Sequence, residues 1–469
     1  MPIFIYNSLS RKKEELIPLK PKEIKMYVCG PTVYDEPHIG HARSAYIFDV
    51  IRRYLTFKGY QVKFVRNVTD VDDKIIDKAR KEFPGEDLNS AFKNVAEKYL
   101  ASYHDALTSL GIGINQDKIS EPKASEYIPK MIKFIQGLIN RGVAYAAGAD
   151  VYFDIAKAKV YGKLSNQSLE KMESGVRVAP NENKHNPLDF ALWKAAKENE
   201  PSWKSPWGLG RPGWHIECSV MSSDILGDEF DIHGGGIDLI FPHHENEIAQ
   251  SEGAGKKFAR YWIHHGLLTI NGQKMSKSLG NFITVKDFLD KYKNADLLKL
   301  LFLSTHYSHP VDYTDEKIQE AKQALERISI LQDKLGKSLD KKPGGKTPKE
   351  LEDVKEKFIK AMDDDFNTPQ ALAVIFDLVN IANKNIEDQD FICYSGLILR
   401  ELANIFGLSL GKSVVSEELQ LDVNALIEQR NEARKKKDFK RSDEIRRELE
   451  DKGIILEDTK DGTTWRRKL

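Results

Sequence analysis

Cysteine is nearly missing from this chain of 469 residues: only Cys29, Cys218 and Cys393 occur, far apart and odd in number. That excludes a disulfide framework and leaves metal binding, catalysis or plain burial. Long apolar runs are missing too. The amino terminus, MPIFIYNSLSRKKEEL, has no hydrophobic segment of signal-peptide type and no small-residue cleavage site, and no later run reaches spanning length. Secretion and membrane insertion are therefore unsupported, and a cytoplasmic location is expected. Neither sign of charge is in excess, with 71 basic and 71 acidic residues, so any RNA-binding surface must come from local asymmetry. Internal repeats are absent. Disorder is excluded as well, because hydrophobic residues make up 41% of the chain.

What is present reads as three or four domains. Lys25 to Pro31 (KMYVCGP) reads as a buried strand ending at Gly30-Pro31, followed by a helix with Ala45, Ile47, Phe48, Val50, Ile51 and Leu55 at its apolar positions. Gln61 to Val68 is strand-like and Asp72 to Arg80 helical, an alternation that implies a parallel α/β sheet. The pattern is irregular from about 115 to 205, then strand-like and glycine-rich from Trp214 to Gly236, and helical beyond about Val311. Lys337 to Glu350 reads as a helix–helix connection, and Asn367-Thr368-Pro369 as a capped helix start. The fold class is α/β: a Rossmann-type parallel-sheet catalytic domain with an insertion, then a helical bundle and a small carboxy-terminal domain. The expected limits are 1–114 and 206–265 for the two halves of the catalytic domain and 115–205 for the insertion. A region at 266–310 holding the KMSKS loop and the stem contacts, the bundle at 311–410 and the last domain at 411–469 complete the chain.

His38-Ile39-Gly40-His41 follows the first buried strand and opens a helix, where imidazoles can donate to phosphate oxygens and the helix terminus favours anions. Two histidines in a loop often do nothing, so the second element matters. Lys274-Met-Ser-Lys277-Ser278 follows the Asn271-Gly272 turn, and two mobile ammonium groups there can neutralise charge developing on a triphosphate. By itself it would be a solvated lysine loop. The pair, HIGH early and KMSKS well downstream, resembles the signatures of class I aminoacyl-tRNA synthetases.

A second constellation joins Cys29, Cys218 and the segment FPHHENEIAQ, in which His243 and Glu247 fall one helical turn apart. Two thiolates, an imidazole and a carboxylate make a plausible zinc set. His244 with Glu247 is the competing pair, and buried cysteines are commonly just small hydrophobes.

The segments MYVCGPTVYDEPHIGHAR, NVTDVDDKI, PWGLGRPGWHIECSVM, FDIHGGGIDLIFPHHENEIAQSE, GQKMSKSLGNF and MDDDFNTPQAL resemble the cysteinyl-tRNA synthetase family over most of the chain. The resemblance implies one zinc ion on Cys29, Cys218, His243 and Glu247, with the thiol of substrate cysteine as an added ligand. It implies that Thr69, Trp214 and His233 line the amino-acid pocket, and that Gly234, Gly235, Gly236 and Asp238 approach adenosine. His38, His41, Lys274 and Lys277 would stabilise the phosphates of ATP, accompanied by Mg2+. The expected reaction forms cysteinyl-adenylate and passes the cysteinyl group to the 3′ end of tRNA(Cys). A monomer is expected.

From Arg430 to Arg447 nine basic residues face four acids, which suits an RNA backbone or simply a solvated helix. By resemblance the last domain reads the anticodon, with Arg434, Asp443, Asp458 and Trp465 as candidates. Cys393 lies outside every motif and reads as structural. Three departures from the family pattern, at Lys184-His185-Asn186-Pro187, His306-Tyr307-Ser308-His309 and Lys123-Ala124-Ser125, bear on acceptor-stem contacts rather than on the chemistry. A ligase joining cysteine to an amino sugar would share the catalytic half but would not need the basic last domain. A non-catalytic RNA-binding regulator would have no use for the ATP and zinc motifs.

Overall fold

Ile24, Met26 and Val28 bury one face of their strand and Tyr27 the other, which requires a sheet covered on both sides. The structure, a computed structural model, describes residues 2–113, 119–168, 184–335, 343–409, 417–451, 454–459 and 462–467. It opens with a hairpin (β1, Phe4–Asn7; β2, Lys12–Glu15). Strands and helices then alternate through β3 (Glu23–Val28), α1 (Ile39–Phe57), β4 (Gln61–Arg66), α2 (Asp73–Glu82), α3 (Leu88–Ser109) and β5 (Ile119–Ser120). After α4 (Ile128–Asn140) come β6 (Ala144–Ala147), β7 (Asp150–Phe153), β8 (Phe190–Ala195), β9 (Trp203–Ser205) and β10 (Gly208–Pro212). The α/β pattern resumes with α5 (Trp214–Leu226), β11 (Glu229–Gly236), α6 (Glu245–Gly253) and β12 (Phe258–His265). A small sheet follows from β13 (Leu268–Ile270), β14 (Gln273–Lys274) and β15 (Val311–Tyr313), with α7 (Val285–Tyr292) and α8 (Ala295–Leu303) between the last two.

Helices α9 (Asp315–Leu335), α10 (Lys349–Asp363), α11 (Thr368–Lys384) and α12 (Gln389–Ile405) form the bundle. The start of α11 is capped by Asn367, whose side chain accepts from the Gln370 N–H. Two helices, α13 (Glu417–Lys435) and α14 (Phe439–Asp451), and a hairpin, β16 (Ile454–Thr459) with β17 (Gly462–Arg467), end the chain around a small core of their own. Residues 337–342 of the expected helix–helix connection lie outside the described residues.

The central sheet is parallel, in the order β12-β11-β3-β4-β5. The antiparallel sheet β6-β7-β8-β10-β9 is inserted between β5 and α5. The sheet's two faces carry separate apolar cores, and the bundle extends the one that contains Met26 and Phe48. Chain connections leave β3 and β11 on opposite sides of the sheet, so a crevice opens at their carboxyl ends. Among the described residues no helix is long and apolar enough to cross a membrane.

One expectation is corrected. The strand-like reading of the stretch from Trp214 holds only from Glu229 to Gly236, because Trp214–Leu226 is a helix. Ile216, Cys218 and Val220 alternate as in a strand, but Glu217, Ser219, Ser222 and Ser223 between and beyond them are buried too. A helix buried on nearly every side shows no single apolar face from which its period could be read.

Candidate active site

The crevice holds a cavity of about 570 Å3 whose walls include Cys29, His38, His41, Trp214, Gly236, Asp238 and Lys274. Close backbone approach creates it. A Cβ on Gly30 would lie 1.6 Å from the Asn67 carbonyl oxygen, and one on Gly234 would lie 2.3 Å from the Phe48 ring. Glycine at these two places lets the end of β3 meet β4 and lets α1 sit directly on β11.

His38 is the N-cap of α1. Its Nδ1 accepts from the backbone N–H of Gly40 (3.1 Å) and His41 (3.3 Å), and His41 Nδ1 accepts from His38 N–H (3.3 Å). With both Nδ1 atoms used as acceptors, each neutral ring carries its proton on Nε2. The rings stack at 3.7 Å. Burial, and then neighbouring positive charge, lowers His38 to about 4 and His41 to about 3. The motif therefore presents two neutral N–H donors at neutral pH.

The KMSKS segment leaves β14 and turns through Lys277–Leu279 to Gly280, whose φ is 66°. Asn281 braces it, accepting from the Ser276 N–H at 2.8 Å and donating to the Lys274 carbonyl at 3.2 Å. Lys274 is exposed at the cavity wall. Lys277 is ion-paired with Asp35 and sits 5.0 Å from the Phe282 ring centre. The far end of the loop is tied to the HIGH segment by main-chain bonds, Ile39 N–H to Ile283 O (3.1 Å) and Val285 N–H to Pro37 O (2.9 Å).

Behind the cavity wall, at Cys29, the structure brings together Cys29, Cys218, His243 and Glu247, with ligand atoms all within 4.8 Å of one another. The Cys29 and Cys218 sulfurs are 3.8 Å apart. Two thiolates bound to one tetrahedral zinc at ~2.3 Å each would be separated by about 3.8 Å. The carboxylate is 3.7 Å from the Cys29 sulfur and 2.9 Å from His243 Nε2. This last contact is a hydrogen bond, and it must open by about 0.4 Å to admit a tetrahedral ion. His243 Nδ1 is held by His215 Nδ1 at 2.9 Å. Burial opposes charge on every member, but the histidines around Glu247 outweigh it and hold that carboxyl well below its usual range. His243 is correspondingly carried up to about 10, chiefly by Glu247 against the effect of burial. Burial raises the Cys29 thiol, and the Cys218 sulfur raises it further.

A second set, Cys29, His233, His244 and Glu247, satisfies the same distance criterion. It is as buried as the first: His233 and His244 are fully buried, as are Cys218 and His243, and His244 Nδ1 is engaged by His264 Nε2 at 2.8 Å much as His243 Nδ1 is by His215. Between the two helical spacings, His243 lies 2.9 Å from the carboxylate and His244 4.0 Å.

The remaining site residues fall at different depths. Trp214 stacks on His243 at 4.0 Å and faces the cavity. His233 is not on the cavity wall; it lies behind Glu247, bonded to it at 2.7 Å and stacked on Trp262. Thr69 is buried and donates to Glu217 at 2.8 Å. Burial pushes the Glu217 carboxyl well above its usual range. Gly236 and Asp238 line the opposite wall, whereas Gly234 and Gly235 back onto Phe48 and His244. Asp35, Arg43, His215 and Glu217 lie inside the family-like segments and His264 outside them, but residue type assigns none of them a role, since each acts through contacts made only on folding.

In the last domain Arg430, 3% exposed on its side chain, grips Asp458 with two bonds (2.9 and 2.8 Å), and Arg434 adds a third at 3.0 Å. Two of the expected RNA contacts are thus also the clasp of hairpin β16–β17 on α13. Asp443 is exposed on α14, Trp465 pairs with Leu456 in β17, and its side chain lies outside the described residues. Cys393 is buried in the bundle. Of the departures, His185 stacks on Tyr145 at 3.7 Å and His306 bonds the Asp365 carbonyl at 2.9 Å.

Comparison with known proteins places these features in context. Residues 15–323 match the family model of the tRNA synthetases class I (C) catalytic domain. Residues 357–411 match the DALR domain and residues 416–466 the cysteinyl-tRNA ligase anticodon binding domain. A protein of Finegoldia magna named cysteine–tRNA ligase is 46% identical over 473 residues, covering 99% of each chain. One of the same name from Geobacillus thermodenitrificans is 48% identical over 475 residues, again covering 99% of each. Among solved structures, Mycobacterium tuberculosis methionyl-tRNA synthetase in complex with methionyl-adenylate superposes with a TM-score of 0.60 at 15% identity, over 82% of this chain and 90% of that one. That likeness concerns the fold alone.

Proposed function

The chain belongs to the cysteine–tRNA ligases, class I aminoacyl-tRNA synthetases, and from that premise we propose that it selects cysteine by its thiol and activates it beside His38 and His41. The observation that carries the reading is that Cys29, one member of a four-residue set of thiolate spacing, lines the same cavity as the neutral histidine pair.

Cys29, Cys218, His243 and Glu247 would hold a zinc ion. Zinc supplies a soft acceptor that prefers a thiolate to the neutral hydroxyl of serine, a distinction an apolar pocket makes poorly. Trp214 walls the amino-acid side of the cavity. The sealed position of His233 suits a residue that orients Glu247 rather than one that touches substrate. ATP, accompanied by Mg2+, lies across Gly236 and Asp238 with its phosphates toward α1.

In the first step an oxygen of the cysteine carboxylate attacks the α-phosphorus, the bond to the β-phosphate bridging oxygen breaks, and pyrophosphate leaves. His38 and His41 donate Nε2–H bonds to phosphate oxygens without changing protonation state, while Lys274 and Lys277 neutralise the departing charge. For Lys277 this requires exchange of Asp35 for phosphate. In the second step a hydroxyl of the terminal adenosine of tRNA(Cys) attacks the carbonyl carbon and AMP leaves. The last domain, with Arg434, Asp443, Asp458 and Trp465, would recognise the anticodon. The working domain limits are those expected from sequence, in a cytoplasmic monomer.

The test is cysteine-dependent ATP–pyrophosphate exchange followed by charging of tRNA(Cys). Exchange with cysteine far above serine, and charging by the same preparation, are expected. Exchange without charging would transfer the reading to the amino-sugar ligases. Metal analysis should give about one zinc per chain, reduced by Cys218→Ala; a zinc-free active protein would remove the thiol-selection mechanism.

A further inference from the structure

Arg43 stands two residues after His41 on α1 and is 1% exposed, yet no carboxylate among the described residues is paired with it. A buried guanidinium without a counter-ion is costly, and such groups are ordinarily paired. Here its compensation is entirely main-chain. Nη1 donates to the carbonyls of Gly266 and Leu267, both at 2.6 Å, and Nη2 donates to those of His309 (2.6 Å) and Tyr307 (3.3 Å). Burial alone lowers its pKa, to about 10, so it remains a cation at neutral pH.

The four carbonyls belong to the two segments that lead into β13 and β15. Those strands pair in parallel, and β13 carries β14 on its other edge, with Thr269 opposite Lys274. The KMSKS loop therefore has two attachments to the HIGH segment. Its far end is held by the main-chain bonds of residues 283 and 285 to residues 39 and 37. Its near end, through β13, is held by Arg43. The segments gripped are already in close contact, since a Cβ on Gly266 would lie 2.3 Å from the His309 carbonyl carbon. Arg43 also lines the cavity.

We propose that Arg43 is a positioning residue for adenylate formation: it fixes the strand that launches the KMSKS loop at a set distance from His38 and His41. The inference rests on the adenylation reading above. Lysine is the informative replacement, because it keeps the charge and loses the planar fork that spans four carbonyls.

The test compares parent, Arg43→Lys, Lys277→Ala and the double variant in ATP–pyrophosphate exchange, with cysteine KM, zinc content and thermal midpoint measured on each. Absence of exchange in the parent would sink the adenylation reading itself, whereas the variants address Arg43 alone. Arg43→Lys is expected to remain folded with its zinc, to keep the cysteine KM within about twofold, and to lose roughly 10- to 100-fold in exchange rate. Because the arginine acts through the loop, the same change made in Lys277→Ala should cost less than about threefold. The proposal is overturned if Arg43→Lys retains the parental rate, if cysteine KM rises in step with the lost rate, or if the two losses multiply independently. Failure of Arg43→Lys to fold would equally overturn it, by making the arginine a stability determinant only.

Discussion

His215 allows the metal site to be tested without touching a ligand. A metal on His243 Nε2 occupies that lone pair, so His243 must keep its proton on Nδ1 and donate it. The acceptor is His215 Nδ1, 2.9 Å away. Burial, followed by the positive charge of His243, holds His215 well below its ordinary pKa, which keeps it neutral and able to accept. Replacing His215 by phenylalanine preserves a ring against Phe190 and Trp214 and removes only the acceptor. An unpartnered buried N–H costs about 1–3 kcal/mol, equivalent to roughly 5- to 150-fold in affinity. Outer partners of metal-bound histidines ordinarily contribute about 10- to 100-fold. Two features move the expectation to the low end. His215 is half-buried, so water can replace part of the bond. Glu247 also keeps His243 protonated in the metal-free site, so the same hydrogen bond is present there and part of its loss cancels. The expected result for His215→Phe is zinc affinity weaker by about tenfold in competition with a chromogenic chelator at pH 7. The metal-free thermal midpoint of each protein serves as the fold control. Affinity within twofold of the parent, at equal metal-free stability, would refute the assignment of His243 Nε2 as the ligand atom.

Acid should weaken the fold through its buried imidazoles. His38, His41 and His265 are lowered to about 4, 3 and 4, first by burial, while the unfolded groups titrate near 6.5. Below pH ~6.5 the unfolded chain binds more protons, so stability falls with pH until the folded rings titrate near 3–4; a urea midpoint unchanged between pH 7 and 5 would contradict this. Gly234→Ala forces a methyl into the Phe48 ring, 2.3 Å from the nearest atom. It should cost about 1–3 kcal/mol and shift α1, lowering both thermal midpoint and exchange rate; an unchanged midpoint would show that α1 has room to move.

Local chemistry made part of this site legible before folding. The HIGH and KMSKS segments carry their own turn and capping signals, and the structure realises them as an N-cap and a braced loop. Cys29, Cys218, His243 and Glu247 could be picked out by residue type, but helical spacing could not separate His243 from His244. That choice depends on Phe241, whose extended backbone (φ −136°) resets the direction of the segment just before α6. The helix at Trp214 was obscured by its burial on all sides. The roles of Arg43 and His215 were beyond reach for another reason: their partners are main-chain carbonyls 223 to 266 residues away and a ring 28 residues away. Residue type and periodicity hold no record of such contacts.

The cluster behind the cavity wall also has a history in time. Cys29 and Glu247 are 218 residues apart in the chain. At synthesis rates of about 5–20 residues per second, Cys29 is added to the chain roughly 10–45 s before Glu247. Throughout that interval neither half of the ligand set can be completed by a neighbour in sequence. A nascent or prematurely terminated chain shorter than this therefore cannot assemble the four-residue cluster, and a metal held there would report that β3, α5 and α6 have come together.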